Sequence, residues 1–103
     1  MPTPHLLAIA GELDLQHCAA VRADLAPLLE AKTARLLVDL TGLGYIDSSG
    51  LALLIETHQR VEEHGGHLVL FGLRESVRHV FEIARLDRFF TLLPDRAAAL
   101  AAS

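Results

Sequence analysis

Four stretches of the chain are almost continuously apolar, and each stops at a turn residue. "HLLAIA" (residues 5–10) lies between Pro4 and Gly11, and "RLLVDL" (35–40) runs into Thr41-Gly42. "HLVLF" (67–71) is flanked by Gly66 and Gly72, and "FFTLL" (89–93) ends at Pro94. Short runs without strict alternation are the pattern of strands covered on both faces, as in parallel sheets. Between them the period lengthens to that of a helix. After Leu51, apolar residues return at Leu54, Ile55 and Val61, with His58 on the same side. Glu56, Gln59, Arg60, Glu62 and Glu63 fill the other side until Gly65-Gly66 stops the segment. Val77, Val80, Phe81 and Ala84 predict a second helix over residues 75–85. A helix over 15–31 is predicted from Val21, Leu25, Leu28 and Leu29, with Asp14 as its N-cap and Pro27 expected to kink or break it. The Ala-rich residues 94–103 read as a short helix or frayed tail. Strands alternating with helices predict a single α/β domain with a core over about residues 5–93. Its sheet is expected to be mostly parallel, of four to five strands, with helices packed on it.

Composition narrows the function classes. A length of 103 residues is one domain, and 51% hydrophobic residues suffice for a core; with no Trp and few aromatics, that core must be aliphatic. The net charge of -4 and the lack of any Lys/Arg cluster argue against direct nucleic-acid binding and against an electrostatic membrane anchor. No apolar run reaches the length of a membrane span, and "MPTPHLLAIAG" lacks a basic leader region. One cysteine, Cys18, precludes an internal disulfide and fits a reducing cytoplasm. Cys18 falls near the inward side of the first predicted helix, which favours packing over reactivity.

The sequence carries no G-x-S-x-G elbow, no phosphate loop and no G-x-G-x-x-G, so no catalytic residue, cofactor or enzyme activity is predicted. His64 and His67 bracket Gly65-Gly66 as "HGGH". Zinc needs three or four ligands and no further one is placed by spacing, so a turn with flanking histidines is expected and no metal. His58 is expected half-buried in the core. "DSSG" (47–50) stands apart, because an apolar run breaks there and a helix resumes at once. Ser48 falls at or next to the N-cap of a helix beginning near Ser49, and Gly50 permits close backbone approach. Capping explains the motif. A helix N-terminus also has free N–H groups and a positive dipole end that tolerate a phosphate, so one hydroxyl can cap while its neighbour stays exposed.

Four segments together resemble the signature regions of STAS domains: "GELD" (11–14), "LLVDLTGLGYIDSSGLALL" (36–54), "GGHLVLFGL" (65–73) and "VRHVFEIARLDRFF" (77–90). They occur in order and span nearly the whole chain. "GELD" alone is weak, whereas D-S-S-G-L after a strand with the others in register is specific. Within the family the likeness is to bacterial anti-sigma-factor antagonists. Such an antagonist, unphosphorylated, binds an anti-sigma factor that is also a serine kinase, and so frees the sigma factor. The kinase phosphorylates the serine after the aspartate, and a PP2C-type phosphatase reverses this. The resemblance therefore implies Ser48 as phosphoacceptor and a partner-binding surface of Asp14, Asp47, Ser49 and Gly50. It also implies transcription regulation in the cytoplasm.

The chain departs from the family pattern at its start. Many antagonists place an extra strand before the "GELD" strand, but only residues 1–4, with two prolines, are available here. The edge so exposed leaves a homodimer open. A second reading is a STAS subunit of a membrane lipid-transport ATPase complex, which also carries a "GLALL"-like run. A third, a nucleotide-binding or signalling module of a larger assembly, lacks a phosphate loop.

Overall fold

The computed structural model describes residues 3–102, and Met1, Pro2 and Ser103 lie outside it. The order is β1 (His5–Ala8), β2 (Gly11–Leu13), α1 (Cys18–Glu30), β3 (Arg35–Asp39), β4 (Leu43–Ile46), α2 (Ser48–Glu63), β5 (His67–Phe71), α3 (Glu75–Ile83), β6 (Thr91–Leu93) and α4 (Arg96–Ala102). Strands β1-β3-β5-β6 form a four-stranded sheet in that order, every pairing parallel. This is the sheet expected from the four apolar runs. Thr3 and Pro4 form no strand, and among the described residues β1 is an edge that pairs with β3.

The continuous apolarity of β3 and β5 follows from their burial on both sides. Leu36, Val38, Leu68 and Leu70 belong to the larger core, with Leu25 of α1, Leu54 and Val61 of α2, and Val77 and Phe81 of α3. The alternate residues Leu37, Val69 and Phe71 pack on the opposite face with Ala99 of α4. Successive side chains of a strand point to opposite faces, and here each face meets helix. Cys18 lies buried in the larger core, where burial raises its thiol pKa. Leu25 is buried on α1, with Val21, Leu28 and Leu29 packed alongside.

Several boundaries differ from expectation. The first apolar run is split: β1 ends at Ala8, and β2 is a separate three-residue strand whose partner, β4, lies in "TGLGYID". That segment is not one of the four apolar runs, because Gly42 and Gly44 interrupt it. The run at 89–93 forms a strand only from Thr91, because Phe90 turns into the core edge-on to Phe81, with ring centroids 5.6 Å apart. Pro27 does not break α1, which runs through it to Glu30. It sits one turn from the helix end, and it and Ala23, whose carbonyl an N–H at 27 would have bonded, are both exposed to water. Helix α3 ends at Ile83, and Ala84, expected to face inward, is its exposed C-cap.

Candidate functional site

Strands β2 and β4 form a two-stranded parallel unit apart from the main sheet, and their ends build the site. Leu13 lies opposite Ile46, so the residues that follow, Asp14 and Asp47, emerge side by side. The Asp47 N–H donates to the Leu13 carbonyl at 3.3 Å and ties the two ends together. Helix α2 then starts without a linker. Its N-cap is Asp47, in extended conformation, whose Oδ1 accepts from the backbone N–H of Ser49 at 2.9 Å and of Gly50 at 3.2 Å. Two of the unpaired donors of the first turn are thereby satisfied by one carboxylate.

The cap is the aspartate, so neither serine is needed for it. Ser48 is the first residue of the helix and is exposed, and Ser49 is half-buried. Neither hydroxyl makes a hydrogen bond among the described residues. Gly50, expected on the partner surface, is instead buried. A Cβ there would stand 2.5 Å from the Leu13 carbonyl oxygen and 2.8 Å from Leu13 and Ile46 side-chain carbons, so only glycine lets α2 start this close to β2. Its contribution is to bring Asp14 and Ser48 to one end of the fold.

Asp14 does not cap α1 as expected. Its Oδ1 accepts from the His17 N–H at 3.1 Å and meets His17 Nδ1 at 2.6 Å, while its carbonyl accepts from the N–H of His17 and Cys18. The bond three residues on is a capping bond, but the turn it closes is residues 15–17. Regular helix begins at Cys18, with His17 as an N-cap whose side chain makes no capping bond. The hydrogen bond from the His17 ring, joined by its backbone N–H, outweighs desolvation and holds the Asp14 carboxyl below the usual carboxylate range.

Glu12 and His17, missed in the sequence, join Asp14 here, with one donor atom from each of the three lying within 4.8 Å of the others. The i, i+2 spacing of Glu12 and Asp14 along an extended strand was the available signal. Around them lie two exposed apolar side chains. Tyr45 is opposite Glu12 on β4 and 52% exposed, and Leu15, next to Asp14, is 76% exposed. The surface beside Ser48 is therefore acidic and apolar at once.

Two of the remaining histidines, His64 and His58, pack structurally. His64 Nε2 lies 2.8 Å from the Thr33 carbonyl, and Gly66 packs beneath Val61 and the carbonyls of Thr33 and Ala34, so "HGGH" anchors the entry to β5. His58, with 17% of its side chain exposed, packs tilted against Phe89 and edge-on to Phe90 as a half-buried histidine.

Residues 2–94 match the family model described as "Mlab, STAS domain". The anti-sigma-B factor antagonist of Bacillus subtilis (strain 168) is 37% identical over 78 residues, covering 76% of this chain and 71% of that protein. Among solved structures, an anti-sigma factor antagonist from Mycobacterium paratuberculosis superimposes with a TM-score of 0.87 at 22% identity, over 96% of this chain and 84% of that one. A sulfate transporter family protein from Wolinella succinogenes gives 0.83 at 17% identity, over 96% and 83%. At such identities the two structures speak for the fold.

Proposed function

The chain belongs to the STAS domain family, a family of regulatory binding proteins rather than enzymes, and from that membership we propose that it is an anti-sigma-factor antagonist switched at Ser48. Unphosphorylated, it binds an anti-sigma factor that is a serine kinase, through Asp14, Asp47, Ser49 and the exposed residues beside them. Gly50 supports that surface from below. The observation that carries the reading is the exposed, unbonded hydroxyl of Ser48, directly after a cap already supplied by Asp47. Such a hydroxyl can be modified without dismantling the helix.

In the kinase reaction Ser48 Oγ forms a bond to the γ-phosphorus of ATP. The bond from that phosphorus to the ADP oxygen breaks, and the serine proton leaves to the kinase or solvent. A phosphate carries about -1.5 to -2 charges, added to a surface that already holds Asp14 and Asp47. Burying an unpaired charge at an interface costs several kcal/mol, and each 1.4 kcal/mol is about tenfold in affinity. Two or three orders of magnitude of lost affinity are therefore expected. A PP2C-type phosphatase restores binding, and the cycle belongs to the cytoplasm, where sigma factors act. Among the described residues no helix is long and apolar enough to cross a membrane.

The test is labelling by each anti-sigma-factor serine kinase of the source genome, with titration of the variants. Ser48→Ala should not be labelled and should bind constitutively, Ser48→Asp should bind weakly, and Ser49→Ala should still be labelled. Labelling of Ser48→Ala at the wild-type rate, or equal binding by Ser48→Asp, would overturn the assignment.

One observation favours a second reading. The matching family model bears the description "Mlab", which fits a STAS subunit of a membrane lipid-transport ATPase complex. Stoichiometric co-purification with a transporter ATPase, without labelling by any kinase, would select it.

A further inference from the structure

The first turn of α2 has two groups competing for its donors once Ser48 is modified, and the geometry decides between them. A phosphate on the first residue of a helix ordinarily folds onto the free N–H groups of that turn, where hydrogen bonds and the helix dipole stabilise it. Here the N–H groups of Ser49 and Gly50 already point at Asp47 Oδ1, at 2.9 and 3.2 Å. The cap is held from behind as well, since the Asp47 N–H is bonded to Leu13 and its carbonyl accepts from Leu51 at 3.0 Å. The helix end is equivalent to about +0.5 charge. One carboxylate at that end over-compensates it, leaving a local field that repels an anion.

We propose that Asp47 is a positioning residue of the switch. It occupies the N–H groups of Ser49 and Gly50 so that the phosphate on Ser48 does not fold onto them and stays turned outward, with its charge presented to whatever binds there. This rests on Ser48 being the phosphoacceptor, and it concerns what becomes of the phosphate afterwards. The consequence is twofold. The incoming kinase surface meets an uncompensated phosphate, so one small group has a large effect on binding. The phosphatase meets a phosphoryl group that need not be pulled off the helix first. Asp14 and Glu12 are the carboxylates of the neighbouring cluster and His17 its base; Asp14 and His17 bond each other at 2.6 Å, so the imidazole is already engaged.

The experiment uses full-length chain with phosphoserine installed at position 48 by genetic encoding, so that no kinase is required. Phosphorus NMR then follows the second ionisation of the phosphate, which lies near pH 6 when unperturbed. In the wild-type background it should titrate no lower than phosphoserine in an unstructured peptide. Asp47→Ala frees the two N–H groups, and the ionisation should fall by about 0.2–0.7 pH units, the size of a surface anion's interaction with a helix end. The amide protons of Ser49 and Gly50 should then move as the phosphate ionises, and should stay still in the wild type. Asp47→Asn keeps a competent cap without the charge and should lie between, which covers the case of an Ala variant that does not fold. If the wild-type phosphate titrates below the peptide value and its Ser49 and Gly50 amides follow it, the proposal is wrong. That outcome is separate from a failure of labelling at Ser48, which would end the switch itself.

Discussion

Asp47 and Ser48 divide between them two roles that the sequence could assign to either. From spacing alone Ser, Asp and Gly all suit a helix start, and the serine stood as close to the cap as the aspartate did. Both capping bonds go to Asp47, and the Ser48 hydroxyl is free among the described residues. Replacing an N-cap Asp by Ala costs about 1 kcal/mol, whereas an exposed residue without partners costs within about 0.5 kcal/mol. Urea unfolding should therefore show Asp47→Ala less stable by about 1 kcal/mol and Ser48→Ala indistinguishable from wild type. A stability loss confined to Ser48→Ala would return the cap to the serine. The neighbouring pair Asp14–His17 was legible only in half. Aspartate before a helix signals a cap, but the three-residue turn between it and the helix depends on how β2 delivers the chain to α1.

At the scale of elements the decisive contact is the start of α2 against the end of β2. Both are short pieces that neither propensity nor period defines strongly, and "GEL" and "LGYI" become strands because they find each other across the fold. Gly50 makes the approach possible, since a methyl group there would stand 2.5 Å from a backbone oxygen. Gly50→Ala must push β2 away from α2, an overpacking cost of about 1–3 kcal/mol. It should also separate Asp14 from Ser48. Thermal melts should show the destabilisation, and kinase binding should weaken more than stability alone explains. Unchanged melting together with unchanged binding would mean that β2 and α2 are free to part. The longer elements were read correctly because period and length agree in them. Helix α2 and strand β5 fall where their apolar residues place them, and Pro27 failed as a breaker because it stands near an exposed helix end.

Across the whole molecule, three helices cover one face of the sheet and α4 alone covers part of the other. Asp39 links α4 to the sheet. Burial raises its carboxyl, but the Thr41 N–H and hydroxyl and the Arg96 guanidinium at 3.5 Å together outweigh that and hold it below the usual carboxylate range. A carboxyl depressed in the folded state contributes stability above its unfolded pKa, about 3.9, and loses it as pH falls through the lower folded value. Acid titration should therefore loosen the α4 side first. Hydrogen exchange at Ala98 and Ala99 should rise below about pH 4 before exchange in α2 does, and Asp39→Asn should abolish the pH dependence of that difference. Phosphorylation, by contrast, should leave the whole fold in place, because the group modified makes no bond within it. Far-ultraviolet circular dichroism of the two forms should superimpose, and a loss of helical signal would contradict the capping scheme.

What the sequence determined by itself was the part written in local pattern. The four strands of the main sheet, three helices and a D-S-S-G break at a helix start all follow from apolar period, turn residues and helix chemistry within windows of a dozen residues. The same patterns carried the family resemblance. Tertiary structure alone decided what depends on residues distant in the chain. It placed β2 beside β4, brought Asp14 alongside Asp47, buried Gly50 against Leu13, and, with the Asp47 N–H tied to Leu13, chose the aspartate over the serine as cap. Each of these is a choice between arrangements of nearly equal local energy. Contacts some thirty residues away break the tie, and no local window contains them.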